Sequence, residues 1–399
     1  MIAHVSSWVL PITGPPIREG AVIVDQGRIA RVGPGAEVLR GFTGPVEDHG
    51  NGAILPGLVN CHVHLEFSAL AGTVPPQIRW EDWLDEALDG YGGLSAEEVE
   101  AGVVRGIEAV HASGAALAGE VTNTGISLPH LENSPLAYHL FYECLGFDLL
   151  EPVDLEEIFP FLGQAAAEAS SPVSAGAHAP YSVSAPLFRA IGAWNQARRR
   201  PQTVHLAESR GEEEFLATGD GFFRDLLLRR GRRVGDFQPP NLAPAAYLDS
   251  LGFLHDATLA VHGVWLSLEE LDRLRRTGAW LVLCPRANRY TGAGTPHVQQ
   301  MLESRVNLAL GTDSLAGNWD LNLFGEMLWL YRHYPAAPGE LWLRLGTING
   351  ARALERSDEF GSLEPGKRAA LGFVLLSGDG DFWGELFAAG AEGRFRWIS

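Results

Sequence analysis

One pattern recurs through the middle of this chain: a short apolar run is followed by a segment with helical periodicity. The runs predict eight β-strands, at residues 54–64, 115–122, 138–144, 173–178, 203–207, 258–262, 280–285 and 307–313. Two of the intervening helices begin with a capping box, Ser95 with Glu98 and Ser267 with Glu270. Strands that alternate with helices favour a closed parallel sheet, a (β/α)8 barrel. An open, doubly wound sheet is the alternative, but the sequence has no strand–GxGxxG–helix unit to support it.

The two ends of the chain differ from this middle because both are rich in β-forming residues. The N-terminal stretch AVIVDQGRIARVG is typical of a hairpin, and the C-terminal stretch from about residue 360 has a Pro-Gly turn before an apolar run. We predict that both ends join in one small β-sandwich, with two unrelated extensions as the alternative. The predicted division is 1–53 for the N-terminal part of the sandwich, 54–356 for the barrel and 357–399 for the C-terminal part.

Composition excludes several classes of protein. The chain has 399 residues, 46% of them hydrophobic and 20% charged, which is typical of a globular protein. A formal net charge of −19 repels phosphate backbones, so we expect no nucleic-acid partner. Three cysteines without a CxxC motif, no signal peptide and no long apolar run predict a cytoplasmic protein that does not enter a membrane.

Polar residues at the strand ends point to a functional site. His62 and His64 stand two residues apart at the end of the first predicted strand, so both imidazoles point to the same face. Four other predicted strands also end in such residues: the fourth at His178, the fifth at His205 with Glu208, the sixth at His262 and the eighth at Asp313. A histidine or carboxylate at a single strand end is usually an ordinary structural residue. Five strands that end this way indicate an active site at the carboxyl rim of the barrel.

Motifs spread along most of the chain support this reading: PGLVNCHVHLE, HAPYSVS, VHLAES, VHG, CPRAN, LGTDS, TINGARAL and GSLEPGKRAAL. With them the chain resembles the amidohydrolase superfamily, and within it the branch of cytosine, guanine and adenosylhomocysteine deaminases and triazine hydrolases. HVHLEFS and CPRANRY are similar to deaminases of adenine nucleosides, including aminodeoxyfutalosine deaminases. The resemblance implies a (β/α)8 barrel, a β-sandwich formed by both termini, and a homodimer.

The resemblance also implies a metal centre. By it, His62, His64, His205 and Asp313 are the ligands of a divalent ion, and this donor set suits zinc, with iron as the alternative. Lys367 is the only lysine in the chain and lies outside the predicted barrel, so no carboxylated lysine can bridge two ions. We therefore predict one ion per chain.

The implied catalytic residues are Asp313, Glu208 and His262. A divalent ion lowers the pKa of bound water to about 7. Asp313 then accepts the proton of the water, and the hydroxide attacks an sp² carbon. Glu208 moves a proton to a ring nitrogen and on to the leaving amine, while His262 orients the nucleophile.

Substrate-binding residues are predicted from their place near the rim: Glu66, His178, Arg286, Arg289, Trp80 and Trp319. Tryptophans can stack on a flat ring, and an arginine can bind an anionic group, so an anionic small molecule is one option for the substrate. Two long connections, 65–94 and 208–257, are candidate lids.

The predicted activity is hydrolytic deamination of a heteroaromatic amine, such as the aminopurine of a nucleoside. Hydrolysis of a non-peptide amide or cyclic amide by the same centre is the alternative, because the metal residues would be identical. A non-catalytic scaffold is the third reading, but it has no use for a proton shuttle such as Glu208.

Overall fold

The computed structural model describes residues 1–76, 79–378 and 380–399. The strands of these residues, in chain order, are β1 (Ile2–Val9), β2 (Ile17–Asp25), β3 (Arg28–Pro34), β4 (Val46–Asp48), β5 (Gly52–Pro56), β6 (Leu58–Val63), β7 (Ala115–Thr122), β8 (Ala137–Cys144), β9 (Val173–Ala177), β10 (Gln202–Leu206), β11 (Thr258–His262), β12 (Trp280–Leu283), β13 (Asn307–Leu310), β14 (Leu371–Leu375) and β15 (Phe395–Trp397).

The α-helices of the same residues are α1 (Gly35–Val38), α2 (Trp80–Gly92), α3 (Ala96–Ala112), α4 (Leu128–Glu132), α5 (Leu155–Ile158), α6 (Pro160–Glu168), α7 (Ala185–Arg198), α8 (Arg210–Thr218), α9 (Phe222–Arg229), α10 (Pro244–Ser250), α11 (Leu268–Thr277), α12 (Pro285–Tyr290), α13 (Val298–Ser304), α14 (Leu323–His333), α15 (Gly339–Arg344), α16 (Gly350–Ala353) and α17 (Phe382–Ala391). A 3-10 turn spans Glu66–Leu70 and a π-helical turn spans Leu345–Asn349. Both predicted capping boxes are present, at the start of α3 and of α11. Within the described ranges, none of the helices combines the length and the hydrophobicity that a bilayer-spanning segment needs.

Strands β6 to β13 form the predicted barrel. They lie side by side in sequence order, and each one pairs in parallel with the next. Nearly all of their residues are buried, because helices cover the outside and side chains fill the inside. The fold class predicted from the alternation is confirmed.

The two chain ends form a separate mixed sheet, as predicted. Its strands lie in the order β15-β14-β5-β1-β2-β3, and β4 pairs with the edge of β1. The antiparallel pairing of β14 with β5 joins the C-terminal end of the chain to the N-terminal end.

Two details differ from the sequence prediction. The predicted strand 54–64 is two strands, because β5 belongs to the terminal sheet and only β6 enters the barrel. The C-terminal segment also contains α17, which packs against α14, whereas the sequence predicted β structure there. Asp381 caps this helix by accepting a hydrogen bond from the amide of Gly384. The exact division at residues 53 and 356 stays a prediction.

The barrel closes where the segment after β13 meets β6. The amides of Thr312 and Asp313 both donate to the carbonyl oxygen of His62, at 3.1 Å each. Asn60 strengthens this contact, because its Nδ2 donates to Thr312 Oγ1 at 2.7 Å and its Oδ1 accepts from the Thr312 amide at 3.1 Å. A Cβ atom on Gly311 would lie 2.8 Å from Cβ and 2.9 Å from the carbonyl oxygen of His62, so only glycine allows this approach.

We predict that Gly311→Ala lowers the free energy of unfolding by roughly 1–3 kcal/mol, because the added methyl group overpacks the closure. Urea denaturation followed by fluorescence measures this change. Gly14→Ala is the matched control, because no atom lies within 4 Å of its Cβ position. Equal unfolding midpoints for the two variants would contradict the close approach described here.

Candidate active site

Four predicted ligands meet at the carboxyl rim of the barrel. His62 and His64 lie at the end of β6, His205 lies in β10, and Asp313 follows β13. The Nε2 atoms of His64 and His205 are 3.2 Å apart, and His62 Nε2 is 3.9 Å from Asp313 Oδ1. The ligand atoms of His62, His64 and Asp313 all lie within 4.8 Å of one another, a spacing that a single ion can bridge.

The three histidines are in the protonation state that a bound cation needs. Burial lowers the pKa of His62 and of His64 well below the usual value, and it lowers the pKa of His205 to about 3. All three are therefore neutral imidazoles, the form that binds metals. Among the described residues, neither ring nitrogen of His62 has a hydrogen-bond partner, although the residue is fully buried. His205 Nδ1 donates to the carbonyl oxygen of His178 at 2.8 Å, so its Nε2 lone pair faces the cluster.

Glu208 and His262 stand beside this cluster. His262 Nε2 is 3.6 Å from Glu208 Oε1, and His262 Nδ1 donates to Asn288 Oδ1 at 2.8 Å. Burial raises the pKa of Glu208 to about 7, although Trp80 lowers this pKa by a smaller amount. Burial also raises the pKa of Asp313 to about 7, and a cation bound to this carboxylate would act in the opposite direction. A carboxyl group with a pKa near neutrality can both accept and donate a proton, which general acid–base catalysis needs.

The backbone at three strand ends is held in the left-handed region. Ala207, His262 and Asp313 have φ angles of 49°, 74° and 58°. Such angles cost about 1–3 kcal/mol each for residues other than glycine, and they concentrate at functional sites. Here they turn the chain at the ends of β10, β11 and β13, so that Glu208, His262 and Asp313 face one point.

A cavity of about 300 Å³ opens over the cluster. Its residues are His64, Phe67, Trp80, Trp83, Leu84, Ala87, Leu88, Tyr91, Asn123, Glu143, Leu145, His178, Tyr181, His205, Glu208, His262, Asp313 and Ser314. One face of α2, which is part of the candidate lid 65–94, forms most of the outer wall. Trp83 Nε1 fastens α2 to the rim by donating to the carbonyl oxygen of Ala316 at 2.9 Å.

Trp80 and His178, two of the predicted substrate-binding residues, line this cavity. Trp80 is almost completely buried and packs against Tyr181 and Phe223. His178 Nδ1 lies 2.6 Å from Ser182 Oγ, and burial lowers the pKa of His178 to about 4, so the ring is neutral.

Glu66, another predicted substrate-binding residue, is not among the residues that line the cavity. It is buried and accepts hydrogen bonds from Thr122 Oγ1, from Thr124 Oγ1 at 2.8 Å and from the Tyr91 hydroxyl at 3.3 Å. Its carboxylate is used to hold the segment after β7 and the end of α2 against the segment after β6.

The structure places the other three predicted substrate-binding residues, Arg286, Arg289 and Trp319, outside the set that lines the cavity. Arg286 makes a bidentate ion pair with Asp320, at 2.8 and 2.7 Å, because α12 turns it away from the site. Arg289 is exposed on the same helix. Trp319 is 52% exposed and packs against Tyr290 outside the pocket.

Sequence reasoning missed three residues: Asn288, Asn123 and Glu143. Asn288 fixes the ring of His262 through a hydrogen bond. Its position in the CPRAN motif, two residues after Arg286, could have identified it as a site residue. Asn123 and Glu143 follow or end barrel strands β7 and β8, the same position that identified the histidines.

Comparison with known proteins identifies the family to which the chain belongs. The model of the amidohydrolase family matches residues 53–381, which is most of the chain. A 5-methylthioadenosine/S-adenosylhomocysteine deaminase of Syntrophobacter fumaroxidans is 30% identical over 392 residues, 88% of this chain and 79% of that protein. The chain belongs to the amidohydrolase family.

Solved structures agree with this assignment. An adenosine deaminase of Xanthomonas campestris, with bound zinc, is 25% identical and superposes with a TM-score of 0.76, over 94% of this chain and 85% of that one. A Helicobacter pylori aminofutalosine deaminase, in complex with methylthio-coformycin, has a TM-score of 0.85 at 24% identity, over 99% of this chain and 96% of that one. The second match supports the fold alone.

We predict that Arg289→Ala changes kcat/KM by no more than about twofold, for acidic and neutral substrates alike, because an exposed side chain away from the pocket contributes little. Steady-state kinetics with one acidic and one neutral adenine nucleoside measures this. A selective rise in KM for the acidic substrate would show instead that Arg289 reaches the substrate.

Proposed function

We propose that this chain hydrolytically deaminates the aminopurine of a nucleoside. The observation that carries the proposal is the position of Glu208: its carboxylate is 3.6 Å from His262 Nε2, beside the three neutral histidines and Asp313. The deaminases of 5-methylthioadenosine, S-adenosylhomocysteine and adenosine to which the chain is similar support a purine nucleoside as the substrate class.

The proposal includes one zinc ion, held by His62, His64, His205 and Asp313. Three neutral imidazoles and a carboxylate suit zinc, and His62 is buried with two nitrogens that have no other described partner. When bound, such an ion makes water acidic enough to lose a proton near neutral pH.

The side chains of this protein then divide the proton transfers. Asp313 accepts one proton from the attacking water at a carboxylate oxygen. His262 carries its own proton on Nδ1 because that atom donates to Asn288, so its Nε2 lone pair accepts a hydrogen bond from the same water and orients it. Glu208 donates its proton to the ring nitrogen next to the attacked carbon, then takes up the remaining proton of the added hydroxyl group and delivers it to the departing amine. Return of the proton from Asp313 to Glu208 restores the starting state. Water and the amino group are thereby exchanged for a carbonyl oxygen and ammonia.

We predict that Glu208→Gln lowers kcat by roughly 10²- to 10⁴-fold, since glutamine has nearly the same shape but cannot carry the proton. Its zinc content and KM should stay close to those of the wild type. The assay is ammonia release from adenosine and 5-methylthioadenosine, and Glu213→Gln, an exposed position on α8, is the matched control. Turnover of Glu208→Gln at the wild-type rate would rule out the proposed proton transfer.

The same assay separates deamination from the alternative amide hydrolysis. Wild-type protein loaded with zinc that cleaves cyclic amides but releases no ammonia from purine nucleosides would overturn the proposal.

The proposal also includes a cytoplasmic location and a homodimer. The location rests on the three cysteines, which are all buried and unpaired.

A further inference from the structure

Glu326 is a buried acid that has no part in the proposed proton transfers. It belongs to α14, is completely buried and is not among the described residues that line the cavity. Its two carboxylate oxygens accept hydrogen bonds from two different segments. Oε2 accepts from the backbone amide of Arg286 at 2.9 Å, and Oε1 accepts from Asn318 Nδ2 at 2.9 Å. Glu326 therefore joins the segment that follows β12 to the segment that follows β13.

The contact with Asn318 leads to Asp313, a proposed metal ligand. Asn318 Nδ2 also donates to the carbonyl oxygen of Thr312 at 2.8 Å. This carbonyl belongs to the peptide group that joins Thr312 to Asp313, and the N–H of the same peptide group donates to the carbonyl oxygen of His62 at 3.1 Å. Both polar atoms of this peptide group are thus held. They need to be, because Asp313 has a φ of 58°, and such a backbone persists only where its surroundings fix it.

The contact with Arg286 leads to His262. Helix α12 begins at Pro285, and the side chain of the residue before it makes no capping hydrogen bond. Glu326 accepts instead from the Arg286 amide, one of the N–H groups that a helix leaves unpaired at its start. Asn288 lies two residues further along α12, and its Oδ1 accepts from His262 Nδ1 at 2.8 Å. The orientation of the His262 ring therefore depends on where Glu326 holds α12.

The side chain of Arg286 ties the same segments together a second time. Its guanidinium forms the ion pair with Asp320, and its Nη1 lies 3.8 Å from Glu326 Oε1. A Cβ atom on Gly325 would collide with this Nη1, so the glycine lets the arginine pack against α14. The donors around Glu326 need an acceptor on each of its two oxygens. A carboxylate provides both, whereas a side-chain amide provides only one.

We propose that Glu326 is a positioning residue that fixes Asp313 and His262 relative to each other. It acts on Asp313 through Asn318, and on His262 through α12. The inference rests on the proposed function, because it assumes that Asp313 and His262 act on the same metal-bound water.

The test compares the full-length wild type with Glu326→Gln, which keeps the shape of the side chain but presents an NH2 group to one of the two donors. We expect the dissociation constant for zinc, measured by competition with a chelator, to rise by roughly 10- to 100-fold, the usual effect of removing a contact that supports a metal ligand. The kcat for adenosine, expressed per bound zinc, should fall by a similar factor. KM should stay close to that of the wild type, because Glu326 does not line the cavity.

Glu270→Gln is the matched control. Glu270 is also buried, and it accepts hydrogen bonds from two backbone amides, those of Ala245 at 3.1 Å and Ser267 at 2.9 Å. It is not among the described residues that line the cavity. This variant should unfold at a lower urea concentration than the wild type but keep its zinc affinity and its kcat.

Asn318→Ala provides a second variant, which tests the inference even if Glu326→Gln does not fold. It removes the hydrogen bonds to Glu326 and to the carbonyl oxygen of Thr312, so it should also weaken zinc binding. In the double variant, the loss of zinc affinity should be smaller than the product of the two single losses, because both substitutions remove the same hydrogen bond.

Two results would overturn the inference. If the urea midpoint of Glu326→Gln fell while zinc affinity and kcat per bound zinc stayed at the wild-type values, Glu326 would have only a structural role. If the single losses multiplied fully in the double variant, Glu326 would not act through Asn318. Wild type that binds zinc but releases no ammonia from any purine nucleoside would overturn the proposed function instead, and the zinc affinities of the variants would still decide the role of Glu326.

Discussion

Asp313 reaches His62 only because the end of the eighth barrel strand lies directly against the first. The carbonyl oxygen of His62 accepts two backbone hydrogen bonds there, and Gly311 leaves no side chain between the strands. This closure brings together His62 and Asp313, which are 251 positions apart in sequence. The other site residues come from strands between these two, so their mutual distances depend on the same closure.

Burial then sets the chemistry of the side chains that the closure collects. It keeps the histidines neutral and brings the pKa of both Glu208 and Asp313 to about 7. The helix α2 contributes by covering the cavity, and it is held there by Trp83 and Tyr91. The same covering makes the outer wall of the cavity mostly apolar.

The sequence contained enough information for the barrel and for most residues of the candidate site. Hydrophobic periodicity is a local property, and residues at strand ends of a parallel barrel share one rim whatever the loops do. These patterns do not predict where a side chain in a loop points. Arg286 was expected over the pocket, but Asp320, 34 residues later, holds it outside. Glu66 follows the HxH motif, yet three partners on other segments pull its carboxylate away from the cavity. These contacts depend on tertiary packing, which the pattern of one segment does not contain.

Anomalous diffraction at the zinc edge, on crystals of zinc-loaded protein, tests most directly whether the closure builds a single metal centre. The account predicts one strong peak per chain, bonded to His62, His64, His205 and Asp313 at roughly 2.0–2.2 Å. A peak that lacks Asp313 as a ligand, or a second peak of similar strength beside Glu143, would contradict it.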